Sequence, residues 1–239
     1  MLSIKINFRM KIFLTAISLF IASFLTAQTS EEVLKTVNRN YSDVKPLQFT
    51  TSYSLYKNVN TKNTYESYKG FFKKNANNEY IMKIGLNEIV SLQKVSIKTI
   101  EVEKIIEVSE PIKSNLGEFD LKQLLEFCKI KSFKDLKTHW EYVLETLAYS
   151  NLPYSRIIVE IGKDNFIKRE LFYYNTSINF SKQYNKQDLN YPVLEINFSN
   201  YNRLPIEAGL ISSNKYFKTI NSKLVSNMKN YKLIDQRKK

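Results

Sequence analysis

Beyond Lys45-Pro46 the apolar residues of this chain recur at every second position, and segment after segment repeats that pattern. Phe49, Thr51, Tyr53 and Leu55 alternate with Gln48, Thr50, Ser52 and Ser54, as in a strand with one face buried and one wet. A polar loop over 58–64 leads into a segment at 65–74. Asn75-Ala76-Asn77-Asn78 marks a turn, and Tyr80, Met82 and Ile84 resume the alternation. β-Branched stretches follow at 89–92, 95–97 and 99–108. The stretch 138–146 reads as a strand with Trp140, Tyr142 and Leu144 on one face, a short helix being the other reading. Segments 156–163 and 166–174 form a predicted hairpin about Gly162-Lys163-Asp164-Asn165. Leu194, Ile196 and Phe198 alternate against Glu195 and Asn197, and 214–233 holds one or two last strands. Roughly nine to eleven strands with short local connections predict one antiparallel sheet, curved enough to be a barrel or half-barrel.

Two segments carry the helical period instead. Thr29 and Glu32 stand at capping-box spacing, and Val33, Leu34, Val37 and Tyr41 share one face of a helix that Lys45-Pro46 stops. In the middle of the chain, a linker over 111–117 leads to Leu121, Leu124, Leu125 and Cys128, spaced i, i+3, i+4, i+7 behind Asp120 and Gln123. This spacing predicts a second helix over 119–130, with Cys128 as core filling. The fold class is α+β, mainly β, with two amphipathic helices packed on a face of the sheet.

The first twenty-seven residues are of another kind. Lys5, Arg9 and Lys11 precede an apolar run from Ile12 to Leu25, and Ala27 stands before the polar Gln28-Thr29-Ser30-Glu31-Glu32. That is the secretory pattern of basic start, apolar middle and small residue at the cut, with Met10 a second candidate start. The run is shorter than the roughly 20 apolar residues of a spanning helix. The expected organisation is a signal peptide over 1–27 and a single periplasmic domain over 28–239. Without Lys5, Arg9 and Lys11 the net charge falls from +13 to +10.

Composition removes several kinds of chemistry. One Cys allows no internal disulfide and no thiolate metal site, and one His, His139, allows no two-His site. Five dispersed glycines form no phosphate-cradling loop. Only 6 of the 36 basic residues are Arg, whereas base-edge readout and phosphate forks favour Arg, so nucleic acid is not an expected partner. No metal, cofactor or catalytic residue is expected. Glu66, Glu79, Glu88 and Glu160 lie on strands and are the carboxylates that a hydrolase reading would use.

The order of these segments resembles the LolA-like family of outer-membrane lipoprotein carriers. A helix from Ser30 to Tyr41 precedes the strand Phe49 to Tyr56. Gly70-Phe71-Phe72-Lys73-Lys74 then leads into Asn78-Glu79-Tyr80-Ile81-Met82-Lys83-Ile84, and a mid-chain helix with a second meander completes the series. The resemblance implies an unclosed β-barrel with a helical lid over an apolar cavity for acyl chains, without catalysis. It implies as cargo the acyl chains of lipoproteins or other lipids, and as partners transient inner- or outer-membrane proteins, the carrier itself being a monomer. Carriers of this kind have an Arg near the glycine-containing strand, tied to lid opening. Lys73 and Lys74 stand there in this chain, and Lys lacks the forked contacts of Arg.

A soluble ferry has a physical problem to solve. Each methylene taken from lipid into water costs about 0.8 kcal/mol, so a long acyl chain needs an apolar pocket that is not left exposed when empty. The expected lining is Phe49, Tyr53, Leu55, Tyr80, Met82, Ile84, Leu194, Ile196 and Phe198. Leu34, Val37, Leu121, Leu124 and Leu125 are the expected lid residues, with Lys73 and Lys74 at the opening. The alternative from another class is an envelope interaction module whose sheet face docks on a membrane protein.

Overall fold

Thr29 and Glu32 close the predicted capping box. In the computed structural model, which describes residues 29–111, 121–183 and 185–237, the Glu32 N–H donates to the Thr29 hydroxyl at 3.3 Å and the Thr29 N–H to the Glu32 carboxylate at 3.0 Å. The helix they start, α1 (Ser30–Ser42), buries Val33, Leu34, Val37 and Tyr41, the four residues on its predicted face. The leader over 1–27, most of the linker over 111–117, and Asp120 lie outside the described residues.

The strands follow in chain order. The first six are β1 (Leu47–Tyr56), β2 (Glu66–Lys74), β3 (Tyr80–Ile84), β4 (Asn87–Ser91), β5 (Ser96–Ile100) and β6 (Ile105–Ser109). A short helix, α2 (Leu121–Phe127), runs directly into β7 (Cys128–Asp135), and β8 (His139–Thr146), β9 (Tyr154–Gly162) and β10 (Ile167–Tyr174) continue the meander. A ribbon of β11 (Ile178–Asn179) and β12 (Leu189–Asn190) precedes β13 (Val193–Asn202). The chain ends in β14 (Phe217–Ile220), β15 (Lys223–Ser226) and β16 (Lys232–Asp235).

Twelve of these strands form one sheet in the order β16-β6-β5-β4-β3-β2-β1-β13-β10-β9-β8-β7. Among the described residues β7 and β16 are its two free edges, and the sheet does not close into a barrel. Every pairing is antiparallel except β16, which lies parallel to β6. β1 joins the two halves of the sheet: it pairs β2 on one side and β13 on the other, where Tyr53 meets Ile196, 143 residues away along the chain, and Leu55 meets Leu194, 139 residues away.

Two cores lie on opposite faces of this sheet. The concave face carries the larger one, in which α1 covers Leu47, Phe49, Phe72, Tyr80 and Met82 from one half of the sheet and Trp140, Tyr142, Val159 and Ile167 from the other. On the convex face of β3–β6, Ile81, Val90, Ile97, Ile106 and Val108 are covered by Tyr216 and Phe217 of the C-terminal segment. Two strand boundaries differ from the sequence reading. A turn at 101–104 divides the predicted segment 99–108 between β5 and β6, and the tail holds three strands rather than one or two.

The second helix is also shorter than predicted. It ends at Phe127, and Cys128 is the first residue of β7. The i, i+3, i+4, i+7 spacing therefore extends one residue past the helix. Cys128 is nonetheless buried as expected, and burial pushes its thiol up, away from the reactive thiolate. The segment 138–146 is a strand, β8, with Trp140, Tyr142 and Leu144 buried.

Candidate ligand cavity on the concave face

Strand register builds the concave face in rows. One row runs Tyr68, Tyr53, Ile196, Glu170, Val159, Tyr142 and Phe133 across seven strands from β2 to β7. The next row runs Leu55, Leu194, Phe172, Ile157, Leu144 and Ile130. Between these rows and α2 lies a cavity of about 480 Å³, lined by Tyr53, Tyr68, Ile84, Leu124, Tyr154, Glu170, Phe172, Leu194 and Ile196. Its size falls within the roughly 300–1,000 Å³ typical of small-molecule sites.

Two aromatic pairs stand among the lining residues. Tyr53 and Tyr68 stack with ring centroids 4.9 Å apart and planes at 19°. Tyr154 and Phe172 meet at 5.0 Å and 52°. Aromatic rings give large apolar contact area at little conformational cost.

The nine expected lining residues divide between cavity and core. Tyr53, Ile84, Leu194 and Ile196 line the cavity. Phe49, Tyr80, Met82 and Phe198 are packed in the adjoining core, where Phe49 stacks on Phe72 at 5.0 Å. Leu55 is half-buried, in the row that contains Leu194. Tyr68, Tyr154, Glu170 and Phe172 line the cavity without having been expected there. Tyr68 is legible as the cross-strand partner of Tyr53, and Phe172 as a residue of the predicted hairpin, once the register is known.

The lid residues separate in the same way. Leu34 and Val37 belong to the concave core, and α1 is tied down at both ends. The Tyr142 hydroxyl donates to the Ser30 carbonyl at 2.7 Å. At the other end, Lys74 Nζ donates to the carbonyl oxygens of Tyr41 and Asp43, and Arg203 to that of Asn40 at 2.8 Å. Leu124 of α2 lines the cavity and Leu125 packs against the core, while Leu121 is the first residue of that helix. Lys73 is half-buried, with its ammonium 5.5 Å from the centre of the Phe71 ring.

The four carboxylates considered for hydrolysis have separate surroundings, and Glu79 lies not on a strand but just before β3, after the turn at 75–78. Glu79 accepts from the Asn75 amide at 3.0 Å, Glu88 from the Tyr216 hydroxyl at 2.9 Å, and Glu160 pairs with Arg169. Glu66 is exposed at the start of β2. No group of His, Cys, Asp and Glu among the described residues could hold a metal ion. No helix among them is long and apolar enough to cross a membrane.

A second hollow, about 360 Å³, opens on the other side of β13. Its lining includes Asn58, Ser155, Arg156, Asn190 and Tyr191, a more polar set than that of the concave cavity.

No family model matches the chain, and no curated protein matches it. Among solved structures, the chain is similar to an uncharacterized conserved protein from Thermus thermophilus, with 11% identity and a TM-score of 0.50, over 87% of this chain and 100% of that one. A LolA superfamily protein from Nitrosomonas europaea aligns with 12% identity and a TM-score of 0.34, over 78% of this chain and 98% of that one. At these identities the likeness to the Thermus protein concerns the fold alone.

Proposed function

We propose that this protein is a soluble, exported carrier of acylated or lipidic ligands, which it holds in the concave cavity. The observation that supports the reading is the cavity itself: an unclosed sheet leaves about 480 Å³ beside Leu124, lined mainly by aromatic and aliphatic side chains. Burying a chain there recovers about 0.8 kcal/mol per methylene. Because α1 is fixed at both ends, α2 is the element that moves to admit the ligand. Lys73 and Lys74 then have no direct part in opening, and Lys74 serves as the anchor of α1.

The test is ligand uptake. The mature protein, isolated from an envelope extract, is expected to yield lipid on solvent extraction, and the stripped protein to bind Nile red, a neutral apolar dye, with a blue-shifted emission. Absence of both extracted lipid and dye binding would overturn the carrier reading.

A further inference from the structure

The hollow on the far side of β13 has a wall held by a chain of four side chains. The Asn58 amide donates to the Asn190 side-chain oxygen at 2.7 Å, the Asn190 amide donates to the Asp188 carboxylate at 2.7 Å, and Lys57 pairs with that carboxylate. These contacts fasten the β11–β12 ribbon to the loop after β1. The sheet supplies another part of the lining. Tyr56, Val193, Tyr173, Arg156, Glu145 and Lys129 form one row across six strands, on the face opposite the concave cavity. Of these, Val193, Tyr173 and Arg156 border the hollow, and among its described lining residues Arg156 alone is charged. The cross-strand neighbour of Arg156 is Glu145, the residue that would ordinarily balance it. Both oxygens of Glu145 are taken, by Lys129 at 3.0 Å and Lys131 at 3.2 Å. The Arg156 guanidinium lies instead over the Tyr173 ring, 3.9 Å from its centre. Among the described residues no carboxylate pairs with it, whereas Arg169 on the same face has both Glu160 and Glu195.

We propose that this hollow binds a small amphipathic oxyanion, a carboxylate or phosphate monoester on a compact apolar body, through the N–H fork of Arg156. A guanidinium stacked flat on a ring is held in orientation and keeps its in-plane N–H groups for an acceptor. That fork matches two oxygens of either anion. Val59, Leu189 and Tyr191, respectively 66%, 56% and 61% exposed, supply apolar surface for the body of the ligand. A volume of about 360 Å³ suits a small molecule rather than a long chain, and the charge of the chain, +13, draws anions towards it. The hollow shares no lining residue with the concave cavity, so the inference does not rest on the carrier reading.

The experiment is calorimetric titration of the mature protein with hydrocinnamate, phenyl phosphate and the uncharged hydrocinnamyl alcohol. At least one anion is expected to bind about tenfold or more tightly than the alcohol, and the tighter of the two identifies the group. Arg156→Gln is expected to weaken that anion at least about tenfold while leaving Nile red uptake unchanged. Arg156→Lys keeps the charge without the fork and is expected to weaken it about threefold or more. Binding of neither anion, equal binding of anions and alcohol, or anion binding unchanged in Arg156→Gln would overturn the site. Wild-type affinity in Arg156→Lys would overturn the fork as its basis. Loss of Nile red uptake together with the anion in Arg156→Gln would also overturn it, because the two hollows would not then act separately. If the wild type binds the anion but takes up neither lipid nor dye, the carrier reading falls and this site stands.

Discussion

Lys74 Nζ donates to the Tyr41 carbonyl oxygen at 2.5 Å, so a side chain from β2 closes the last turn of α1. It donates also to Asp43 at 2.7 Å. The carbonyls at a helix C-terminus have no partner within the helix and carry partial negative charge, and this ammonium satisfies two of them inside the protein. Its neighbour Lys73 faces the other side of the strand. Lys74→Met is therefore expected to destabilise the fold by about 1–3 kcal/mol, since it leaves buried acceptors without their donor. Lys73→Met should stay within about 0.5 kcal/mol of the wild type. Urea unfolding of the two variants is the measurement, and equal effects would refute the clamp.

The same lysine makes stability depend on pH. Burial, and then the charge of Arg203, hold Lys74 down to about 8, against about 10.4 in an unfolded chain. Between those values the unfolded chain binds more protons than the native protein, so this group makes stability rise with pH. Tyrosines act in the opposite sense above about pH 10. Burial pushes Tyr142 up to about 12, Tyr41 and Tyr216 higher still, and Tyr201 well above the ordinary tyrosine value. The unfolded chain then ionises where the native protein does not, and stability is lost as pH rises further. Thermal melts across this range are expected to show a rise and then a fall. Lys74→Met should flatten the rise and keep the fall.

Gly70 occupies a place where no side chain fits. A Cβ there would stand 2.2 Å from the Lys83 carbonyl oxygen and 2.6 Å from the Thr51 hydroxyl, on the two neighbouring strands. The first of these is backbone and cannot rotate away. Gly70→Ala is expected to cost about 1–3 kcal/mol, as overpacking does elsewhere, with a matching drop in the urea midpoint. An unchanged midpoint would mean that β2 and β3 can separate without loss.

Much of this architecture is legible in the residues themselves. The Thr29–Glu32 box and the apolar face of α1 follow from helical geometry, and β1 follows from strict alternation, because each depends only on neighbours in sequence. Cys128 shows where that logic fails. Helical spacing continues past Phe127, yet pairing with β8 claims the chain there, with Cys128 opposite Thr146. Glu170 shows a second kind of failure. Its inward position depends on a one-residue bulge against β9, and parity read along β10 alone places it in solvent. Part of the lysine excess also finds a place: Lys129, Lys131 and Lys134 lie along β7, a free edge of the sheet, where charge discourages pairing with other chains.

The cavity can be filled from within to test where ligand binds. Leu194 is half-buried and lines the concave cavity, so Leu194→Trp adds volume toward open space rather than into packed core. Its stability should remain within about 1.5 kcal/mol of the wild type, as for core changes that avoid strain, while Nile red binding should fall at least about tenfold, a loss of about 1.4 kcal/mol. Val59, which is 66% exposed beside the hollow on the other side of β13, supplies the control. Val59→Asp should leave dye binding unchanged. Phe49→Glu would be a poor probe, because Phe49 sits against Phe72, Phe198 and Tyr201 in the core and a charge there would disrupt the fold itself. If Val59→Asp abolishes dye binding and Leu194→Trp does not, the ligand site belongs on the convex side and the concave cavity is only a packing defect.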